Sequence, residues 1–394
     1  MSKGNEKENM DLYTPRKIVF VIPALTSGGA ERVMTRILQY MDRKRANVHL
    51  LLFREMGAYL NDVPPDVTID TLVNSKHYYI LRWTIYFKYK RYISVLKPDV
   101  VVSFMWYPNF VVLLEKWIGR GRHKVIVSER TTLAFTRGSR LVGWLRRCGT
   151  RLLYPKADRI IALTKQMRQE LMSAAPIRPD RVKVIYNPVD LERLKIKAEE
   201  PVHHTWFDPS RPLILSIGRL TIEKGFKHLI GAFGQVIERN APYLVVLGEG
   251  NERASLEGLI KRLDLKDRVH LPGYEKNPFK YLSQCTLFIL SSINEGFPNV
   301  LIEAMALGVP CIATRCATGP EEIITDGVDG VLVPPADEAS LADAITRLIQ
   351  NEGLRKRMGE AAKKKAKEFR VGDIVTQYED IMDEVCAASV RNNI

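Results

Sequence analysis

Two glutamates flank the start of a predicted helix in the segment 291–310. Glu295 lies in the loop before this helix, and Glu303 lies in its second turn. Two carboxylates placed in this way could accept hydrogen bonds from hydroxyl groups of a ligand. Taken singly, each residue is explained as well by an ordinary surface acid. Their joint placement around the loop Gly-Phe-Pro-Asn favours a binding site.

The start of the same helix is predicted to bind phosphate. Asn299 is a residue type that caps helices well, and Gly308 followed by Pro310 is expected to end the helix. The first turn then offers the free N–H groups of Val300 and Leu301. These donors and the helix dipole together attract a phosphate group.

Two cations follow another predicted strand, Leu213–Ile217. Gly218 permits a tight turn there, and Arg219 and Lys224 come next in the chain. Arginine supplies bidentate hydrogen bonds and lysine supplies a point charge, so the pair could bind a diphosphate. The alternative is a solvated turn with ordinary basic residues.

Glycine-rich segments follow two further strands. Gly28 and Gly29 stand between the first strand and the first helix, where they let the backbone approach a ligand closely. Gly250 ends the segment Leu-Gly-Glu-Gly, but Arg253 occupies the third glycine position of the dinucleotide-binding fingerprint. This difference speaks against a nicotinamide-dependent dehydrogenase.

All these residues follow short apolar segments that alternate with helical ones. Such strands predict parallel sheets that are covered on both faces. The predicted strands are 17–23, 48–53, 99–104, 124–128, 158–163 and 182–185, and then 213–217, 243–247, 269–271, 287–290, 310–313 and 330–333. A chain of 394 residues is longer than one hydrophobic core usually organises, so two domains are expected. The polar segment 187–212 is predicted to link them. The predicted fold class is therefore α/β with two doubly wound domains and a ligand site between them.

The bulk composition indicates which partners, cysteine chemistry and membrane contacts are expected. The net charge of +14 favours anionic partners. Five cysteines without a C-x-x-C pair argue against a disulfide framework or a zinc site and favour a reducing cytosol. The polar N-terminus has no signal-peptide core, and the apolar runs are too short to span a bilayer, so membrane contact is expected to be peripheral.

Four of the segments above share a recognisable order and spacing. They are Gly28-Gly-Ala-Glu31, Ser216-Ile-Gly-Arg219 with Lys224-Gly225, Gly248-Glu-Gly250 and Glu295-x7-Glu303. This set resembles the retaining GT-B glycosyltransferases of family 4, over the chain from Ile18 to about Ala387. The first motif, together with Ser128-Glu-Arg130, is most similar to enzymes that build bacterial capsule, O-antigen or lipid-linked oligosaccharides.

The resemblance implies a GT-B architecture with two Rossmann-like domains facing a central cleft. Residues 1–195 would form the acceptor-binding domain and residues 196–372 the nucleotide-sugar donor domain. Residues 373–394 would form a helix that returns to the first domain. The reaction would retain the anomeric configuration without metal. The nucleotide-sugar, expected to be a UDP-sugar, would be a co-substrate, and no further cofactor is implied.

The resemblance also implies roles for individual residues. Arg219 and Lys224 would neutralise the donor diphosphate, Glu303 would hold the ribose hydroxyls, and Glu295 would contact the transferred sugar. The remaining expected contacts are Gly28 and Gly29 under the diphosphate, Gly250 and Tyr274 beside the base, and Gly296, Phe297, Asn299, Val300 and Leu301 near the sugar. Many relatives place a histidine where this chain has Ser128-Glu129-Arg130, so either Glu129 or Arg130 is expected to face the cleft.

Two basic stretches, 76–97 and 130–156, lie in the predicted acceptor domain. The first has six basic residues, no acidic residue and many aromatic ones. Both stretches could bind an anionic membrane surface or the diphosphate of a polyprenyl-linked acceptor. Peripheral binding at the cytoplasmic face of the inner membrane is therefore predicted. Ordinary surface helices with aromatics packed inward are the alternative. Nucleic acid would suit the same chemistry, but the chain has no nucleic-acid motif.

Three alternatives to a transferase on a lipid-linked acceptor remain from the sequence. One is a transferase that makes a small glycoside such as sucrose phosphate or a glycosylated metabolite. Another is a catalytically silent scaffold subunit, against which the four charged residues of the predicted site argue. The dehydrogenase described above is the third. The basic helices favour the lipid-linked acceptor.

Overall fold

The computed structural model describes residues 15–26, 28–73, 82–119, 121–132, 140–202, 211–236 and 242–391. The strands are β1 Arg16–Ile22, β2 Ala46–Leu52, β3 Thr68–Thr71, β4 Val100–Phe104, β5 Lys124–Ser128, β6 Arg159–Ala162, β7 Val182–Val184, β8 Leu213–Ile217, β9 Tyr243–Leu247, β10 Val269–Gly273, β11 Leu287–Leu290, β12 Cys311–Thr314 and β13 Val331–Val333. The helices are α1 Gly29–Tyr40, α2 Arg82–Leu96, α3 Trp106–Gly119, α4 Arg140–Leu153, α5 Lys165–Ala174, α6 Leu191–Ala198, α7 Phe226–Gly234, α8 Arg253–Arg262, α9 Phe279–Leu282, α10 Asn299–Ala306, α11 Pro320–Ile323, α12 Glu338–Gln350, α13 Glu352–Lys365 and α14 Val371–Arg391.

Two parallel sheets organise these elements. The first has the order β3-β2-β1-β4-β5-β6-β7, and the second has the order β10-β9-β8-β11-β12-β13. In each sheet the order reverses beside the first strand, between β1 and β4 and between β8 and β11. Ligands of doubly wound sheets bind at this reversal, outside the carboxyl ends of the strands. The predicted α/β fold with two doubly wound domains is confirmed.

The central strands are buried because helices cover both faces of each sheet. All five residues of β4 are buried, as are all four of β11 and all four of β12. Apolar side chains of α1 and α14 cover one face of the first sheet, and those of α2 to α5 cover the other. Continuous apolar strands are typical of such doubly covered parallel sheets.

The chain crosses between the two sheets twice, at neighbouring positions. The Val189 amide donates to the Phe369 carbonyl at 2.7 Å, and the Val371 amide donates to the Val189 carbonyl at 3.0 Å. From there α14 runs back over the first sheet, where Ile374 and Tyr378 are buried with apolar residues of β1 and β4. The C-terminal helix thus closes the core of the first domain.

Two elements differ from the sequence prediction. The segment 187–212, predicted to be an irregular linker, contains α6, whose N-terminus is capped by the Asp190 side chain. Hydrogen bonds to the carbonyls of Lys197 and Ala198 attach this helix to the second domain, from Asn277 and Ser283 respectively. The edge strand β3 was not predicted, because its side chains are exposed or half-buried and show no apolar run.

Some sequence predictions lie outside the described residues. The residues Lys76, Tyr78 and Tyr79 of the first basic stretch are among them, as are residues 133–139 of the second and 203–210 of the predicted linker. Among the helices that the structure describes, none combines the length and apolar character that crossing a membrane requires.

Candidate functional site

The candidate site lies at the two points where the strand order reverses. The Gly28–Gly29 loop follows β1, the segment 218–225 follows β8, and the segment 291–299 follows β11. The topology therefore brings together three segments that are far apart in the sequence. Their side chains meet between the carboxyl ends of the two sheets.

Lys224 and Glu295 form an ion pair, with 2.5 Å between Lys224 Nζ and Glu295 Oε1. The Ser292 hydroxyl donates to the same carboxylate oxygen at 2.6 Å. The lysine side chain is 25% exposed and the glutamate side chain 11% exposed. The pair therefore lies at the surface of the cleft, where an entering ligand can reach both charges.

Backbone packing fixes the position of this ion pair. Gly225 ends the turn that carries Lys224 and has φ +64°, which glycine adopts without strain. A Cβ at Gly225 would lie 2.1 Å from the Ser291 carbonyl oxygen, so a larger residue would push the two loops apart. The Ser291 hydroxyl donates to the Lys224 carbonyl at 2.9 Å and closes the contact.

Arg219 belongs to the same segment as Lys224, is exposed, and lines a pocket of about 220 Å³. Thr221, Ile222, Glu223 and Asn251 complete the lining.

Gly250 belongs to the loop that supports the Arg219 turn. A Cβ at Gly250 would lie 2.1 Å from the Leu220 carbonyl oxygen, so packing alone explains a glycine at this position. The predicted contact of Gly250 with a base remains a prediction.

Glu303 is buried and holds two arginines of α1. Its Oε1 atom lies 3.0 Å from Arg32 Nη2 and 3.3 Å from Arg36 Nη2. Arg36 also donates to the Pro188 carbonyl at 2.8 Å, and its burial, together with the charge of Arg32, lowers its pKa. The carboxylate predicted to bind ribose is therefore paired with two cations from the other domain.

Sequence reasoning did not identify Arg32 and Arg36. They are four residues apart in the helix that follows the Gly28–Gly29 loop, so both side chains point to one face of α1. That spacing, directly after a loop already chosen as a site candidate, is the signal that could have found them.

Asn299 was wrongly predicted to cap α10. Pro298 occupies the cap position, and Asn299 is the first residue of the helix. The Asn299 side chain instead accepts a hydrogen bond from Asn187 Nδ2 at 2.7 Å, which spans the two domains. The Leu301 amide donates to the Pro298 carbonyl at 3.1 Å, so the predicted free donor at this position is also incorrect.

The Gly28–Gly29 loop faces this same helix. A Cβ at Gly29 would lie 3.4 Å from Asn299 Nδ2, which places the loop of one domain directly against α10 of the other. A Cβ at Gly28 would lie 2.3 Å from Glu31 Oε2, and Glu31 accepts a hydrogen bond from the Thr26 hydroxyl at 2.6 Å. The Glu31 side chain thus folds back beneath the loop and supports it.

The remaining part of the 295–299 loop packs against the first domain. Phe297 is buried and stacks on Tyr186, with ring centroids 5.2 Å apart and planes at 16°. A Cβ at Gly296 would lie 2.8 Å from the Arg130 carbonyl oxygen. Val300 is half-buried and packs at the edge of the core.

Glu129 is buried inside the first domain. Its carboxylate accepts hydrogen bonds from the Tyr154 hydroxyl at 2.5 Å and from Arg146 Nη2 at 3.1 Å. Burial raises the pKa of Tyr154 well above its usual value, and the charge of Glu129 adds to the effect. Sequence reasoning did not identify these two partners.

Arg130 is also buried, between the first domain and α14. Its guanidinium donates to Asn187 Oδ1 at 2.8 Å and to the Tyr378 hydroxyl at 2.8 Å, and it lies 3.8 Å from the Phe104 ring centroid. These contacts give both Glu129 and Arg130 internal partners. A substrate contact for either residue remains a prediction.

Tyr274 directly follows β10 and is 71% exposed. It is close enough to Tyr59 to influence that residue's pKa, which burial raises and Arg32 lowers. Its predicted contact with a base remains a prediction.

Two Rossmann-like domains that face each other, with basic and acidic side chains where both strand orders reverse, form the GT-B fold of similar solved structures. The chain belongs to the group 1 glycosyltransferases, also described as glycosyltransferase family 4. The family model for glycosyl transferases group 1 matches residues 203–365, and the model for glycosyltransferase family 4 matches residues 27–193. The family resemblance predicted from the motifs is confirmed.

Two curated relatives from Campylobacter jejuni match most of this chain. An N-acetylgalactosamine-N,N'-diacetylbacillosaminyl-diphospho-undecaprenol 4-alpha-N-acetylgalactosaminyltransferase is 32% identical over 360 residues, covering 90% of this chain and 96% of the relative. A GalNAc-alpha-(1->4)-GalNAc-alpha-(1->3)-diNAcBac-PP-undecaprenol alpha-1,4-N-acetyl-D-galactosaminyltransferase is 26% identical, covering 94% and 99%. Among solved structures, HepE from Anabaena in complex with UDP is 21% identical, with a TM-score of 0.75 and coverage of 93% and 100%.

Proposed function

We propose that this glycosyltransferase moves a sugar from a nucleotide-sugar donor to a polyprenyl-diphosphate-linked saccharide, with retention of the anomeric configuration. The observation that carries the proposal is the partly buried Lys224–Glu295 ion pair, whose lysine lies in the same segment after β8 as the exposed Arg219. A ligand with both anionic groups and hydroxyls satisfies this pair: the lysine binds phosphate and the carboxylate binds sugar hydroxyls. A nucleotide-sugar carries both.

In the proposed reaction, the bond between the anomeric carbon and the diphosphate oxygen breaks first. Arg219 and Lys224 stabilise the negative charge on the departing nucleoside diphosphate, in place of a metal ion. The acceptor hydroxyl attacks from the face that the diphosphate leaves, and its proton passes to a phosphate oxygen of the leaving group. The new glycosidic bond therefore has the configuration of the old one.

The names of relatives support the acceptor class. Both Campylobacter relatives are named for undecaprenol-linked diphosphate acceptors, and this chain covers more than nine-tenths of each. An amylovoran biosynthesis glycosyltransferase from Erwinia amylovora, 25% identical over 371 residues, points to surface polysaccharide as well. We infer a saccharide on a polyprenyl diphosphate, used in glycan or surface-polysaccharide biosynthesis.

A thermal-shift screen tests the donor proposal. We expect UDP-sugars to raise the melting temperature more than GDP- or ADP-sugars do, because a ligand that binds only the folded state stabilises it. At about 100-fold excess over Kd the gain is roughly 2.7 kcal/mol. The UDP preference rests on the family resemblance. An unchanged melting temperature with every donor in the panel would contradict the assigned site.

A membrane surface is the second proposed partner. The helices α2, α3 and α4 lie side by side on one face of the first sheet. Their large exposed apolar side chains include Trp83 at 73%, Phe87 at 63% and Trp144 at 59% exposure. Of the three helices, α2 and α4 contain no acidic residue, and the single acid of α3, Glu115, is buried.

This surface combines apolar anchors with positive charge. The side chain of Lys156 lies over the ring of Trp117, with 5.7 Å between Nζ and the ring centroid. Exposed aromatic rings enter the headgroup region of a bilayer, and basic residues beside them attract anionic lipids. We propose that this face holds the enzyme at an anionic, cytoplasmic membrane surface, where a lipid-linked acceptor is present.

Co-sedimentation with liposomes tests this partner. We expect the wild-type protein to bind vesicles with anionic lipid more strongly than neutral vesicles. The variant Trp83→Ala/Phe87→Ala/Trp144→Ala is expected to lose at least about tenfold in partitioning, because three apolar anchors are removed. The control variant Ile196→Ala/Val328→Ala removes side chains that are 70% and 56% exposed elsewhere and should bind normally. Equal, negligible wild-type binding to both vesicle types would refute the proposal.

A further inference from the structure

Glu322 extends from the second domain to cap a helix of the first. It lies in α11, the short helix between β12 and β13, and its two carboxylate oxygens accept hydrogen bonds from the amides of Lys165 at 2.8 Å and Gln166 at 3.1 Å. These are the first two residues of α5. The next amide, that of Met167, donates a hydrogen bond to the Thr164 hydroxyl oxygen at 2.9 Å. The start of α5 is thus satisfied by its own cap residue and by a carboxylate from the other domain.

The same carboxylate reaches the loop that carries Glu295. Its Oε2 atom accepts a hydrogen bond from the Tyr186 hydroxyl at 3.1 Å, and Tyr186 stacks on Phe297 in that loop. Burial raises the pKa of Tyr186 to about 12, with the charge of Glu322 contributing, so this phenol stays a donor at neutral pH. The Glu322 carboxylate therefore accepts hydrogen bonds from the start of α5. Through Tyr186 it also supports the 295–299 loop.

The segment before α11 makes a second contact with this loop. The Thr318 hydroxyl donates to the Glu295 carbonyl. Gly319 has φ +94°, and a Cβ there would lie 2.8 Å from Pro298 Cδ and 3.1 Å from the Gly296 carbonyl oxygen. Movement of α11 away from α5 would therefore disturb the backbone that carries Glu295.

We propose that Glu322 is a positioning residue for the transfer reaction. It fixes the first domain, at α5, against the Glu295 loop of the second, so that acceptor and donor sites face each other. The kinetic part of this inference rests on the proposed function. The structural part does not, because helix capping between the domains is measurable without substrate.

The neighbouring Glu321 provides a matched control. It lies in the same helix and carries the same charge, but its side chain is 53% exposed and pairs with Arg315 of its own domain at 3.2 Å. Loss of Glu322 should affect the contact between the domains, whereas loss of Glu321 should affect a surface ion pair of little consequence.

Hydrogen exchange at the amides of Lys165 and Gln166 is the first measurement, and steady-state kinetics is the second. In Glu322→Ala we expect at least about tenfold faster exchange at both amides, because two charge-assisted hydrogen bonds are lost. We expect kcat to fall about tenfold while the donor KM changes less than about threefold, since Arg219, Lys224 and Glu303 are untouched. Glu321→Ala should match the wild type in both measurements.

Glu322→Gln keeps the size of the side chain and one acceptor oxygen, so it serves if the alanine variant does not fold. We expect faster exchange at one or both amides and a loss of kcat of about threefold. Wild-type exchange and wild-type kcat in the folded Glu322 variants would overturn the proposal, as would an equal loss of kcat in Glu321→Ala. Faster exchange in a preparation that shows no transferase activity would support the capping role and count against the proposed function instead.

Discussion

Replacing Lys224 by alanine is expected to lower kcat by about 10²–10³-fold, with a smaller effect on donor KM. The ammonium group lies 2.5 Å from Glu295 and is proposed to stabilise the leaving diphosphate. Removing one preorganised donor to a developing oxyanion costs about that factor in other enzymes. The fold should survive, because the lysine side chain is partly exposed and Glu295 keeps its bond from Ser292.

Lys227 is the control for this experiment. It carries the same charge on the adjacent helix α7, is exposed, and lines a separate groove between α7 and α8. Lys227→Ala should therefore retain the wild-type rate. Wild-type turnover in Lys224→Ala, with an unchanged melting temperature, would refute the assigned role of the lysine.

Replacing Glu303 by alanine is expected to lower kcat/KM for the donor about 100-fold, mainly through weaker donor binding. A carboxylate that accepts two ribose hydroxyls contributes charge-assisted hydrogen bonds of about 1.5–3 kcal/mol each. The change also leaves the buried Arg36 without its carboxylate partner, so some loss of stability is expected. Isothermal titration with the donor, alongside a melting curve, separates the two effects.

The variant Arg32→Ala distinguishes a binding role of Glu303 from a purely structural one. It removes one of the two cations on the carboxylate and leaves Arg36 in place. If Glu303 binds ribose, this variant should keep donor affinity within about threefold of the wild type. Unchanged donor affinity in Glu303→Ala would show that the carboxylate serves only to join the two domains.

The elements that form the sheets could be predicted because their signals are local. Strands such as β5 and β8 are apolar throughout, and the predicted bounds match the observed ones. The edge strand β3 could not be found this way, since solvent on one side removes the need for an apolar run. The helix α6 was missed because its apolar contacts are few and its polar residues resemble those of a linker.

The site could be predicted in part, and the limit is set by contacts between distant segments. The closeness of Lys224 to Glu295 follows from strand order, since β8 and β11 are neighbours at the reversal of the second sheet. The role of Asn299 does not follow, because its partner Asn187 comes from the other domain. A capping preference read from the local sequence cannot include a competing partner so far away in the chain.

The same reason explains Glu129 and Glu322. Glu129 directly follows β5 and Glu322 lies in the short helix α11, and nothing in their local sequence separates a buried structural carboxylate from one in a cleft. Glu129 is buried and accepts hydrogen bonds from Tyr154 and Arg146 within its own domain. Glu322 accepts hydrogen bonds from α5 amides of the other domain. These distinctions depend on packing, which the sequence pattern alone does not specify.

Transfer of labelled sugar into a lipid phase tests whether the enzyme glycosylates a polyprenyl-diphosphate-linked acceptor. The enzyme is incubated with a radiolabelled UDP-sugar panel and a polyprenyl-diphosphate-linked oligosaccharide, and label is counted in the organic extract. We expect label in the lipid fraction with at least one donor, and a rate about 10²–10³-fold lower with Lys224→Ala. No transfer from any donor that raises the melting temperature, or equal transfer by the wild type and Lys224→Ala, would contradict this expectation.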